Sequence, residues 1–249
     1  MRREQADVGW QGFSGTVIAY GHYGRPVLVF PSEQGRAEDF ENNGMVGAVA
    51  ELIEAGRLKL YCVDSADGYS WSDVSVSIEE RARRHSRYES WIVEQVLPWI
   101  SDDCGGATEF ATVGCSLGAF HAANFALKRA DLFPLALCLS GNYDPTSWQA
   151  GDQQGEQGSA TYFNSPMSYV ANLHGDHLNW LRERVSLVLV VGQGAWEENP
   201  TRALPSTRDF AGRLAEKGIR RELDVWGHDV PHDWPSWRAQ LAHHLPRFC

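Results

Sequence analysis

The chain has 249 residues, 43% apolar and 22% charged, which suits an ordinary folded protein with one large core or two small ones, a single domain being preferred. A formal net charge of -10 gives no basic footprint for nucleic acid, and anionic partners would need a local arginine cluster to overcome it. "MRREQADVGWQGF" lacks the apolar run of a signal peptide and nothing is long enough to span a bilayer, so the expectation is a soluble, cytoplasmic protein with no membrane partner.

In chain order, a first hairpin is expected around "GTVIAYGHYGRP", followed by a strand at "PVLVF" (26–30), a polar loop and a helix near 44–55. "LKLYCVD" (58–64) reads as the next strand. Ser77 and Glu80 form a capping-box signature, and the helix after them places Tyr88, Ile92, Val96 and Trp99 on one face with "RARRHSR" toward water. Pro98 predicts an irregular last turn. Strand "EFATVG" (109–114), helix "LGAFHAANFALKRA" and strand "PLALCLSG" (134–141) follow. From 142 to about 180 the alternation pauses in a loop-rich excursion. It resumes with strand "VSLVLVVGQG" (185–194), a helix near 206–217, strand "RELDVWG" (221–227) and a closing helix at "PSWRAQLAHHL". This alternation argues for an α/β fold in one domain, a mostly parallel central sheet with helices on both faces. The five cysteines, an odd number without paired short spacing, read as free thiols and not as disulfides or zinc ligands.

Gly114-Cys115-Ser116-Leu117-Gly118 is a G-x-S-x-G pattern lying between an expected strand and an expected helix, where a nucleophile elbow needs it. Small residues two before and two after relieve a crowded turn, and the helix N-terminus favours developing negative charge. An ordinary N-cap serine in a Gly-rich turn is the competing explanation, so two partners are required. In the chain order Ser, acid, His, Glu197 and Glu198 follow the strand 185–191, and His228 and His232 follow the strand 221–227. His232 is preferred because it lies deeper in its loop and immediately before the final helix. Cys115 falls on the packing side of its strand, which argues against a catalytic thiol.

The segments "GCSLGAFHA" (114–122) and "HDWPSW" (232–237), with the strand order, resemble the esterase family of α/β-hydrolases that includes esterase D, feruloyl esterases, enterochelin esterases and mycolyl transferases. The resemblance covers nearly the whole chain and implies the α/β-hydrolase fold, a serine esterase activity, and His232 as catalytic histidine. "GQGAWEENP" departs from the family's commonest G-x-x-D acid loop, so both glutamates stay open, with Glu197 ranked first. For the oxyanion hole, Leu117 supplies one N–H and the loop "PSEQG" (31–35) the other, from Gln34 or Glu33. That loop lacks the His and paired glycines of the family's H-G-G form. Tyr69, Trp71 and Trp196 are candidates to bracket the substrate.

A metal is weighed at His174 with His177 and at "HDVPHD", but no third ligand completes a recognisable spacing. The reading is therefore a serine hydrolase of a small-molecule carboxylic ester, working through an acyl-enzyme without cofactor or metal. The rivals are an acyltransferase on the same acyl-enzyme and a non-catalytic binding protein of the same fold. A homo-oligomer is compatible with everything above.

Overall fold

The apolar runs become strands of one eight-stranded sheet in the order β1-β2-β4-β3-β5-β6-β7-β8. These are β1 Arg3–Trp10, β2 Phe13–Tyr20, β3 Arg25–Phe30, β4 Leu58–Val63, β5 Ala111–Cys115, β6 Leu135–Leu139, β7 Ser186–Val191 and β8 Arg220–Val225. The computed structural model describes residues 1–10, 12–148 and 158–249. All pairings from β4 through β3 to β8 are parallel, and only β1–β2 and β2–β4 are antiparallel. β3, β4, β5, β6 and β7 carry almost unbroken buried apolar side chains because helices cover both of their faces.

Alternate side chains of each strand feed two cores. Leu28, Phe30, Tyr61 and Val63 pack with helices Ile78–Trp91, Leu117–Lys128, Gly175–Arg184 and Ala203–Glu216. Val27, Val29, Leu60, Cys62, Val113 and Cys115 pack on the other face with the short helices between 39 and 54 and with Trp234–His244. The edge strands manage their open sides with polar residues, β1 with Arg3, Glu4 and Asp7, and β8 with Arg220, Arg221 and Glu222. Chain order reverses between β3 and β5, with β4 on one side and β6 on the other, which opens a crevice at their carboxyl ends.

Four expectations need correction. The first hairpin is β1 with β2, whereas β2 and the strand at "PVLVF" are separated by β4 and do not pair. The helix expected near 44–55 is two short ones, Met45–Ala48 and Ala50–Glu54. "RARRHSR" is not all solvent-facing, since Arg81, Ala82 and His85 are buried. The excursion does stay outside the sheet, but its described part is largely helical, with Ser159–Phe163, Pro166–Asn172 and Gly175–Arg184; residues 149–157 of it lie outside the described residues. The Ser77 cap forms as expected, its hydroxyl accepting from the Glu80 N–H at 3.3 Å. The irregularity associated with Pro98 takes the form of a π-helical turn over Ile92–Val96, so the ring, with no N–H to donate, opens a fresh helix at Leu97–Asp103. Among the described residues no helix is long and apolar enough to cross a membrane.

Candidate active site

Ser116 follows β5 directly at φ 57° and ψ -120°, a left-handed region that a non-glycine residue occupies at a cost. Its hydroxyl makes no cap hydrogen bond to the helix it precedes. The turn is possible because two neighbours have no side chain. A Cβ on Gly114 would stand 2.0 Å from the Gly118 carbonyl oxygen, and one on Gly118 would stand 2.3 Å from the Pro31 oxygen. The elbow is therefore packed backbone against backbone, and it presses the start of the helix onto the loop after β3.

His232 comes from the loop after β8. Its Nε2 lies 2.9 Å from Ser116 Oγ and its Nδ1 lies 3.2 Å from Glu197 Oε2. The ring packs edge-on against Trp237, centroids 5.0 Å apart, and the backbone N–H of His232 donates to the Ala195 oxygen at 3.0 Å. Asp233 then caps the final helix by accepting from the Ser236 N–H at 3.0 Å. Glu197 is fully buried, and its other oxygen accepts from Ser140 Oγ at 2.6 Å and from the Gly192 N–H at 3.3 Å. Glu198 and His228 are exposed. The glycines of "GQG" let the acid loop touch the histidine loop directly, since Cβ atoms at Gly192 and Gly194 would meet the backbone of Val230 and Pro231.

Leu117 is the first residue of its helix, so its N–H has no intrahelical acceptor. In the loop after β3, the Gln34 N–H is already donated to Asp67 Oδ2 at 3.2 Å, which removes it as an oxyanion donor. The Glu33 N–H has no hydrogen-bond partner among the described residues. This loop is held by two buried aspartates beyond β4, Asp64 accepting from the Ala37 N–H at 2.9 Å and Asp67 from Gln34. Asp67 also meets His121 Nε2 at 3.0 Å, tying the loop to the helix that carries the elbow. The sequence flagged "DSADGYSWSD" for its aromatics; the anchoring aspartates were legible only as polar residues at the end of a buried strand.

A cleft of about 420 Å³ opens over Ser116 and His232. Trp71 lines it as expected, together with Trp148, Glu33, Ser140, Arg81 and Arg202. Tyr69 and Trp196 do not line it. Tyr69 is 47% exposed, its ring under Arg84 and its hydroxyl accepting from Arg87, and Trp196 is 62% exposed. Trp71, Phe120 and Trp148 form one aromatic wall by edge-on contacts at 5.6, 4.9 and 5.3 Å. Trp148 and Arg81 were missed because neither lies near the G-x-S-x-G, acid or histidine segments and an arginine in a charged helix reads as solvent-facing.

Cys115 is fully buried beside Ser116 and burial pushes its thiol pKa up, which suits packing and not attack. Among the described residues the one compact cluster of metal-ligating types is Asp224, His243 and His244, with ligand atoms within 4.8 Å of one another. Its carboxylate is already engaged, Asp224 Oδ2 accepting from Trp226 Nε1 at 2.8 Å and facing His244 Nε2 at 2.9 Å. It does not coincide with His174, His177 or the "HDVPHD" residues weighed from the sequence.

Comparison with known proteins identifies the family and the fold. The sequence matches the family described as "Putative esterase" over residues 22–248. A search among curated protein sequences returns no match. Among solved structures, a ferulic acid esterase superposes with a TM-score of 0.72 at 14% identity, covering 99% of this chain and 98% of that one. S-formylglutathione hydrolase from Staphylococcus aureus gives 0.69 at 12% identity, covering 99% and 96%. An S-formylglutathione hydrolase from Agrobacterium tumefaciens gives 0.68 at 15%, covering 98% and 93%. These likenesses establish the α/β-hydrolase fold, and the match across residues 22–248 places the chain in the esterase family, as a carboxylic ester hydrolase.

Proposed function

We propose that the chain is a single-domain serine esterase in which Ser116, His232 and Glu197 form the catalytic triad. The observation that carries this reading is the continuous contact from Ser116 Oγ to His232 Nε2 at 2.9 Å and from His232 Nδ1 to Glu197 Oε2 at 3.2 Å. The serine is uncapped and strained on a Gly-flanked turn, which a mere helix cap would not require.

In this mechanism His232 Nδ1–H donates to Glu197, which fixes the tautomer and leaves Nε2 to accept the Ser116 proton. Ser116 Oγ bonds to the ester carbonyl carbon, and the developing oxyanion accepts from the Leu117 and Glu33 N–H groups. The imidazolium returns its proton to the departing alkoxide as the acyl–oxygen bond breaks. Water, deprotonated by His232, then attacks the acyl-enzyme and releases the acid and free serine. Every proton is returned, and no cofactor enters. The same chemistry fits a small-molecule ester as substrate in the cytoplasm, without nucleic acid or membrane.

The test is hydrolysis of p-nitrophenyl butyrate by wild type, Ser116→Ala and His232→Ala, each checked for folding by circular dichroism. Both variants should lose activity by at least about 10³-fold. Undiminished turnover by folded Ser116→Ala would remove the triad, and product analysis with a competing alcohol separates hydrolysis from acyl transfer.

A further inference from the structure

Two arginines line the cleft beside Ser116 and His232, and neither forms an ion pair among the described residues. Arg202 is exposed at the rim. Arg81 is 1% exposed, yet it reaches the lining. Burial pushes its pKa down, but a guanidinium keeps its charge, so this is a desolvated cation that no carboxylate among the described residues pairs with directly. Its neighbours are backbone carbonyls. Nε donates to the Val76 oxygen at 3.1 Å, and Nη1 donates to those of Trp71 at 3.4 Å and Trp148 at 3.2 Å. Those bonds occupy Nε and Nη1 and leave Nη2 without an acceptor among the described residues.

Among the described residues the nearby acids have partners of their own. Asp73, whose charge favours the Arg81 cation, is bound by Arg84 Nη1 at 2.7 Å and by Ser75. Glu33 is the one carboxylate on the cleft lining among the described residues, is exposed, and accepts from Ser72 Oγ at 2.5 Å. Around Arg81 the wall is aromatic, Trp71 against Trp148 at 5.3 Å, so an anion meeting Nη2 would be shielded from water and held more strongly.

We infer that this cleft selects esters that carry a second, anionic group, a carboxylate in the acyl or the alcohol half, received by Arg81 Nη2 with Arg202 attracting it at the mouth. The inference rests on the serine-esterase reading of the same cleft. It makes Arg81 a specificity-determining residue: the bound carboxylate supplies the missing counter-charge, and a neutral ester of equal length leaves the guanidinium unpaired.

The test compares esters differing by one charge. On the acyl side these are p-nitrophenyl hydrogen adipate and p-nitrophenyl methyl adipate; on the alcohol side they are 4-carboxyphenyl butyrate and its methyl ester. Dividing each wild-type kcat/KM by that of Arg81→Met cancels intrinsic reactivity. The charged member of at least one pair should lose about ten- to hundred-fold more in Arg81→Met than its neutral twin does. Arg81→Lys should recover part of the loss, Arg202→Gln should weaken the preference in a salt-dependent way, and the affected pair tells which half carries the anion. Equal losses on charged and neutral esters would make Arg81 a purely structural clamp and overturn the inference.

Should Arg81→Met fail to fold, inhibition of wild-type p-nitrophenyl butyrate hydrolysis by adipate and by dimethyl adipate decides the matter. Stronger competition by the anion supports the inference, and equal or weaker competition overturns it. Absence of Ser116-dependent turnover of the neutral butyrate would defeat the esterase reading alone. Calorimetric titration of Ser116→Ala with adipate would still report whether the cleft binds the anion, with no detectable heat overturning the inference.

Discussion

Substituting Gly114 by alanine puts the whole geometry of the elbow under test. The added Cβ would stand 2.0 Å from the Gly118 oxygen and 2.2 Å from its carbonyl carbon. Those atoms are backbone in the first turn of the helix Leu117–Lys128, so no rotamer change relieves the contact. Reaching ordinary van der Waals distance needs a retreat of more than an ångström. Gly118 cannot yield that way cheaply, because it already lies against the Phe30 and Pro31 carbonyls. Overpacking of this kind costs about 1–3 kcal/mol of stability. A displacement near an ångström between Ser116 Oγ and His232 Nε2 should cost about 10²-fold in kcat. The assay pairs urea denaturation with p-nitrophenyl butyrate kinetics, using Gly212→Ala as control. Gly212 is an exposed residue within the helix Ala203–Glu216 with nothing within 4 Å of a new Cβ, so alanine there should add about 0.5–1 kcal/mol and leave kcat unchanged. A Gly114→Ala variant with wild-type kcat and wild-type denaturation midpoint would refute the argument from crowding.

Glu197→Gln should lower kcat by on the order of 10³- to 10⁴-fold, because an amide no longer fixes the His232 tautomer, while exposed Glu198→Gln stays close to wild type; parallel kinetics of the two variants decide which acid serves. Trp148→Ala should raise KM several-fold by opening the aromatic wall, whereas Tyr69→Ala and Trp196→Ala, whose side chains lie off the cleft, should change kcat/KM by less than about twofold. A larger effect of Tyr69→Ala than of Trp148→Ala would mean the wall is misassigned. Burial holds the His85 imidazole well below its ordinary pKa, with His121 and Lys128 adding to the effect, and the nearby Glu89 is engaged by Lys128 at 2.7 Å. The folded chain thus keeps His85 neutral where the unfolded chain protonates it, so stability is lost as pH falls below about 6.5, by up to about 1.4 kcal/mol per pH unit. His85→Phe should flatten the fall of the denaturation midpoint between about pH 6.5 and about pH 5, and an unchanged slope would contradict the neutral assignment.

Much of the sheet was legible because strands covered on both faces are near-continuous apolar runs, as at "PVLVF" and "VSLVLVV". Pairing was less so: that β2 lies beside β4 and not beside the following strand depends on contacts distant in sequence. In the helix Ile78–Trp91 the buried stripe Ile78, Ala82, His85 and Tyr88 has helical spacing, but charged and polar residue types disguised it. Ser116, His232 and Glu197, which the fold brings into contact, could be picked out as candidates because an α/β-hydrolase is expected to carry its nucleophile, acid and histidine on loops at fixed places in the strand order. The amide chosen after β3 could not be settled from sequence, since Asp67 takes the Gln34 N–H across a gap of 33 residues. Tyr69 and Trp71 are two residues apart on one short 3₁₀ turn and its exit, and only the fold shows that the second ring faces the cleft and the first faces outward.

The claim at the centre of this account is that Ser116 is a nucleophile activated by His232. Its most direct test is reaction of the wild-type chain with a fluorophosphonate, followed by mass spectrometry of its peptides. One adduct on the peptide carrying Ser116, absent from folded Ser116→Ala and formed at a strongly reduced rate in folded His232→Ala, is the predicted result. No adduct on that peptide, together with ester hydrolysis that survives Ser116→Ala, would contradict it.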